Sequence, residues 1–197
     1  MFADAVEVYR PDPTSPGRIS ISVPYTLGTH TGEVAWPDWT LSVGPGRSRV
    51  AALRIAFPIA KIDMGKGKMN CHMTEALGLN YAVSQFPEKH ACDRNHRLPS
   101  QGPDSVVFPE VVFRAEPFDL PASDGKIALK GAWTIHGVEK DAVLSVDFRR
   151  NPDGSFDFSG SHRWTLEDYG VVVKPFLAIS VKGTVQADFQ SKLRPAP

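Results

Sequence analysis

Cysteine is scarce in this 197-residue sequence: there are two, Cys71 and Cys92, too far apart for the C-x-x-C pair of a dithiol redox centre. An excess of charge of one sign is lacking too, because 22 lysines and arginines are matched by 22 aspartates and glutamates. That balance argues against nucleic acid, or an anionic membrane surface, as a partner. No run approaches the roughly 18 apolar residues of a membrane-spanning helix. Asp4 and Glu7 interrupt the N-terminal stretch where a signal peptide needs an unbroken apolar core. A Gly-X-Ser-X-Gly elbow, a phosphate loop and a dinucleotide fingerprint are all missing, which removes the common hydrolase and nucleotide-binding signatures.

What is present is apolar residue in quantity, 42% of the chain, at a length that suits one well-buried core. Pro11, Pro13, Pro16 and Gly17 read as breakers, so residues 1–17 are expected to form an extended arm on the surface of a domain covering residues 18–191. A period of two then sets in. Ile19, Ile21, Val23 and Tyr25 alternate with polar residues or proline, as in a half-buried strand. Val34, Trp36, Trp39, Leu41 and Val43 predict a second strand bent at Pro37, Leu53 to Phe57 a third, and residues 106–116 a fourth. Ile127, Leu129, Gly131, Trp133 and Ile135 share one face of a fifth, and Ala142, Leu144, Val146 and Phe148 one face of a sixth. After the turn residues Asn151, Pro152, Asp153 and Gly154 come Phe156, Phe158, His162, Trp164 and Leu166, then Ile179, Val181, Val185, Ala187 and Phe189. The expectation is all-β: eight antiparallel strands, with one helix between Met73 and Ser84 in the connection between strands 3 and 4. Such strands either stack as a sandwich or close as a barrel, and a closed eight-stranded barrel is filled by side chains or holds one small ligand. Gly131, Gly160 and Gly183 among large aromatics suit either a tapering cavity or bends in the sheet.

The hairpin GAWTIHGVEKDAVLSVDF, residues 131–148, resembles the signature of the YceI-like family of lipocalin-like, polyisoprenoid-binding barrels. AKIDMG at residues 60–65, VVFPEVVFRA at 106–115 and Asp168-Tyr169-Gly170 are similar to further family segments and fall in the family's order. The chain departs from the pattern at Leu166, where the family often has arginine, and in its first strand, where the usual histidine-serine pair is not recognisable. The resemblance implies an eight-stranded lipocalin-like barrel whose ligand is a polyisoprenoid or a prenylated quinone.

Residues 71–102 form the one long connection, and they hold both cysteines with His72, His90 and His96. Thiolate and imidazole are usual zinc ligands, which keeps open a metal-dependent enzyme using His72, His90, Cys92 and His96 at the barrel mouth. The spacing does not match a closed zinc knuckle, however, and free thiols are a further alternative. The reading adopted is a Cys71–Cys92 disulfide that ties the connection into a lid, since long irregular connections are otherwise disordered or mobile. A disulfide suits an oxidising compartment, so the localisation leans periplasmic or extracytoplasmic if a signal has been removed, and cytoplasmic otherwise.

The function expected from these readings is sequestration or transport of an elongated apolar molecule without catalysis, requiring neither cofactor nor metal, with a homodimer permitted. The expected ligand wall is Val23, Tyr25, Trp36, Phe57, Phe113, Trp133, Ile135, Leu144, Phe148, Phe158, Trp164, Phe176 and Val181, with His162 placed in the core or at the ligand's polar end. His136 is expected to face outward and order its turn, and Asp63 and Asp168 to form turns rather than a catalytic pair.

Overall fold

The computed structural model describes residues 6–173, 181 and 184–197. Among these, the ladders combine into eight antiparallel strands. Strand β1 runs over Glu7–Pro11 and, after a break, Arg18–Tyr25; β2 over Gly28–Ala35 and Asp38–Val43; β3 over Arg49–Pro58 with a short continuation at Ile62–Asp63. β4 is Glu110–Ala115 with Phe118–Asp119 beyond it. The remaining strands are β5 (Gly125–Ile135), β6 (Val138–Arg150), β7 (Phe156–Trp164) and β8 (Val185–Pro195). Each pairs with the next in sequence, and β8 returns to β1, so the sheet closes as an up-and-down barrel.

The closing seam corrects the expected surface arm. Glu7–Pro11 is the first half of β1, with Tyr9 opposite both Leu41 of β2 and Pro195 of β8 and its side chain fully buried. Pro13 and Pro16 break the ladder only where the chain turns: Asp12 accepts hydrogen bonds from the Thr14 N–H and hydroxyl at 2.9 and 2.7 Å and pairs with Arg194. The fourth strand starts at Glu110 rather than Val106. Of the eighth, Val185–Pro195 is continuous strand and Val181 forms an antiparallel bridge with Tyr25. Ile179 and Gly183 lie outside the described residues.

The hairpin of β5 and β6 is the longest regular ladder, paired without a break from Ile135 and Val138 to Gly125 and Phe148. Its two-residue turn places His136 and Gly137 at φ 51° and 75°. Positive φ at both positions is the geometry that matches the right-handed twist of the flanking strands.

Inward residues fill the barrel from its closed end. Tyr9 and Phe156 rings lie 4.8 Å apart, Phe148 and Phe158 5.4 Å, Trp39 and Phe189 5.9 Å, Phe113 and Trp133 5.1 Å, and Trp133 and Trp164 4.9 Å. Gly131 and Gly160 therefore mark close approach, not taper: an added Cβ would stand 2.1 Å from the Arg114 carbonyl oxygen and 2.6 Å from that of Ser145.

Candidate functional site

The open end of the barrel is where β1 ends at Tyr25, β5 at Ile135 and β7 at Trp164, and the long connection crosses it. Helix α1, Gly67–Gly78, is the first part of that cover. It begins six residues earlier than the sequence suggested and stops at Gly78. Asn70 sets its start by accepting from the Met64 N–H at 2.7 Å, while Asp63 accepts from the Gly65 N–H at 2.8 Å, so Asp63 is a turn-former as expected. Ala76, Leu77 and Leu79 bury into the core, and the carbonyl of Gly78 receives the N–H groups of Val107 and Phe108 as the chain returns toward β4. His136 ties this cover to the β5–β6 hairpin. Its Nδ1–H donates to the Leu77 carbonyl at 3.2 Å, its ring packs on Tyr81 and Phe108, and burial lowers its pKa.

The disulfide is formed. Cys71 on α1 and Cys92 in the connection are bonded, with Cα atoms 6.2 Å apart. Beside it stands a group that only tertiary contact assembles. Glu75, fully buried, accepts at Oε2 from Nδ1 of His72 at 2.8 Å and of His90 at 3.0 Å, and at Oε1 from the N–H groups of Ala91 at 2.6 Å and Cys92 at 2.9 Å. Burial alone would raise this carboxyl's pKa. The hydrogen bonds from His72, the Cys92 N–H and His90 outweigh it and hold the pKa at about 2.

Below α1 lies a mostly apolar cavity of about 180 Å³, walled by Val23, Tyr25, Met64, Met69, Met73 and Phe86, with His72, Glu75 and His90 on one side and Val181 on another. A smaller void of about 30 Å³ beneath it is bounded by Phe57, Ile135, Trp164 and Leu77, among others. The expected wall residues thus divide. Val23, Tyr25 and Val181 line the mouth cavity, and Phe57, Ile135 and Trp164 the lower void. Phe113, Trp133, Leu144, Phe148 and Phe158 are packed core in the filled part of the barrel instead of ligand wall. Trp36 is no wall residue either: it sits at the bend of β2 with φ 58° and is 54% exposed. Phe176 lies outside the described residues. His162 packs against both Trp133 and Trp164, with ring centroids 5.5 and 5.4 Å away, and burial lowers its pKa.

The four-residue metal set suggested by the sequence does not assemble. Cys92 is consumed by the disulfide, and His96 is exposed on the far side of a turn, against Gly67. His72 and His90 do meet, with ring centroids 4.4 Å apart, and the third member is Glu75. Sequence reasoning placed Glu75 only as a helix residue. The available signal was its position three residues after His72, which puts both side chains on one helix face. The methionines of the wall and His30, stacked on Tyr25 at 4.1 Å, were also missed.

An eight-stranded meander barrel with a helix across its mouth is a lipocalin-like binding fold. The model of the YceI-like domain matches residues 12–192, and the chain belongs to the YceI-like family. Solved structures with this fold include a polyisoprenoid binding domain from Saccharophagus degradans implicated in plant cell wall breakdown (11% identity, TM-score 0.62, covering 98% of this chain and 100% of that one). Burkholderia cenocepacia BcnA superposes with TM-score 0.61 at 14% identity over 90% of this chain and 96% of its own. A Campylobacter jejuni YCEI protein gives 0.52 at 14% identity, covering 82% of this chain and 81% of that chain. No curated protein matches the sequence significantly.

Proposed function

We propose that this chain binds the apolar part of an elongated lipid at its barrel mouth, a polyisoprenoid or prenylated quinone first, and acts by binding rather than by catalysis. The observation that carries the reading is the methionine-rich apolar cavity beneath a disulfide-tied cover; membership of the YceI-like family supports the ligand class. Methionine walls adapt to irregular apolar shapes because the side chain is unbranched and polarizable.

Volume sets how the ligand is held. A dry protein cavity of about 150 Å³ accepts a benzene-sized molecule, so the 180 Å³ here takes one prenyl-sized group as it stands. Five buried carbons contribute about 4 kcal/mol, which alone is only millimolar affinity. Tight binding therefore requires further units, accommodated by rotation of Met64, Met69 and Met73 or laid along the mouth.

The test is a series of fluorescent prenyl probes of one, two and three isoprene units, titrated into delipidated protein. Affinity should rise with each unit to a plateau that reports the depth of the site. Met69→Trp, which fills the cavity from the helix side, should weaken binding at least tenfold with thermal unfolding little changed. Absence of binding by all three probes at micromolar concentrations would refute the reading.

A further inference from the structure

Three of the donor groups in the mouth wall converge on one point, and hydrogen bonding to a carboxylate is only one thing they can do. We propose that Nδ1 of His72, Nδ1 of His90 and Oε2 of Glu75 form a three-ligand site for a divalent first-row cation of the zinc class, with its remaining coordination positions facing the mouth cavity. The proposal is independent of what fills the cavity.

The spacing is that of a coordination sphere. Tetrahedral bonds of about 2.0–2.1 Å from zinc to nitrogen or carboxylate oxygen place neighbouring ligand atoms about 3.3 Å apart, slightly wider than a hydrogen bond. The two Nδ1 atoms stand 2.8 and 3.0 Å from the same Oε2, and the donor atoms of all three residues lie within 4.8 Å of one another. Ring rotation about the two Cβ–Cγ bonds would have to set the third edge, between the two Nδ1 atoms. Ligation requires each imidazole to be neutral with its remaining proton on Nε2, so the proton on each Nδ1 is released to solvent or transferred to Nε2 as the cation takes its place beside the carboxylate.

The framework around the three donors is built as ligand supports are. Glu75 is fixed from behind: its Oε1 takes the N–H groups of Ala91 and Cys92, so only Oε2 is presented to the histidines. The disulfide joins the helix residue before His72 to the residue two after His90, which holds the two imidazoles in register across the connection. Outer contacts of this kind orient ligands and prepay their ordering.

Charge points the same way. A fully buried carboxylate has, as its ion partners among the described residues, only these two histidines, each about one-third exposed, and neither lysine nor arginine. A divalent ion would compensate that charge and leave the site with one net positive charge. Two histidines and one carboxylate with open positions is a ligand set suited to zinc, copper or iron, whereas magnesium and calcium prefer oxygen-rich sites.

The experiment uses the full-length, disulfide-intact protein after chelator treatment. Zinc(II) is titrated by calorimetry and by competition with a chromophoric chelator, and cobalt(II) is added as a spectroscopic reporter of nitrogen and oxygen coordination at low symmetry. One zinc per chain should bind with a dissociation constant in the micromolar range or below. Magnesium should not compete. His90→Ala should weaken zinc at least thirtyfold, Glu75→Gln likewise, and His96→Ala should have no effect. Near-ultraviolet circular dichroism of each variant establishes that the fold persists. Should His90→Ala or Glu75→Gln unfold the protein, His72→Gln, on the partly exposed face of α1, supplies the same comparison. Failure to reach one equivalent, or zinc affinity unchanged in folded His72 and His90 variants, would overturn the proposal and leave the group as a hydrogen-bonded knot. Prenyl-probe binding measured on the same metal-free samples reports on the lipid reading separately.

Discussion

His136 shows how one side chain carries information between parts of the molecule. It occupies a left-handed position in a tight turn, at φ 51°, while its ring closes on Tyr81 and Phe108 and its Nδ1–H satisfies the Leu77 carbonyl. Burial lowers its pKa in the folded state relative to the ordinary 6.5. The sign of the linkage follows: the unfolded chain binds a proton more readily, so this contribution is complete above about pH 6.5 and is lost as pH falls through the lower folded value. His162, similarly lowered by burial, adds to the same slope. His136→Asn keeps a residue that tolerates positive φ but removes the ring. It should cost about 1–2 kcal/mol at pH 7.5 from one hydrogen bond and two ring contacts. Urea unfolding of both proteins at pH 7.5 and 5.5 checks this: the difference between them should shrink at the lower pH. A constant difference would mean that the ring's protonation is not linked to folding. The outward, turn-ordering role read from the sequence covers the turn but not the contact with Leu77, which belongs to a residue 59 positions away.

At the scale of the element, the cover depends on two ties between α1 and the connection, the Cys71–Cys92 bond and the hydrogen bonds to Glu75. Closing a loop of about twenty residues is worth roughly 3 kcal/mol in the chain-entropy model. Cys71→Ser/Cys92→Ser should therefore speed exchange of the backbone amides at positions 91 and 92 by up to about a hundredfold. It should also raise the dissociation rate of a bound prenyl probe by at least tenfold, because changes of affinity appear mostly in the off-rate. A rate equal to wild type would show that the segment does not gate the cavity. The pairing was legible in the sequence because the only two cysteines bracket the one long connection. The helix was legible in existence but not in position, since Gly78 reads as tolerable within a helix and its burial as a terminus is decided by the chain packed over it. Glu75 was not legible as a buried anion: its four hydrogen-bond donors include His90, Ala91 and Cys92, brought to it only when the connection folds back.

At the scale of the molecule, the barrel was legible where one face meets solvent and the other meets the core, because the period of two then survives in the sequence; β5, β6 and β7 are the clearest cases. Whether its interior is filled was not, since an aromatic row looks the same lining a cavity or meeting another aromatic row. The N-terminal half of β1 was hidden for a different reason: it is five residues long and ends at Pro11, so only its partners reveal it. Those partners make it the closing stave. Val8 and Tyr9 pair with Ser42 and Leu41, Tyr9 and Arg10 pair with Pro195 and Arg194, and Tyr9 buries its ring against Phe156. Removing residues 1–11 would leave Leu41–Val43 and Leu193–Pro195 as facing edges without the strand between them and open a fully buried aromatic site. Loss of a buried aromatic costs about 3–5 kcal/mol, and exposed edges recruit other chains. The truncated protein should unfold at lower urea and elute as oligomers or aggregate in size-exclusion chromatography, with the mouth, at the opposite end of the barrel, still binding prenyl probe in whatever fraction remains folded. A monomeric truncation with unchanged stability would show that the barrel closes on residues 18–25 alone.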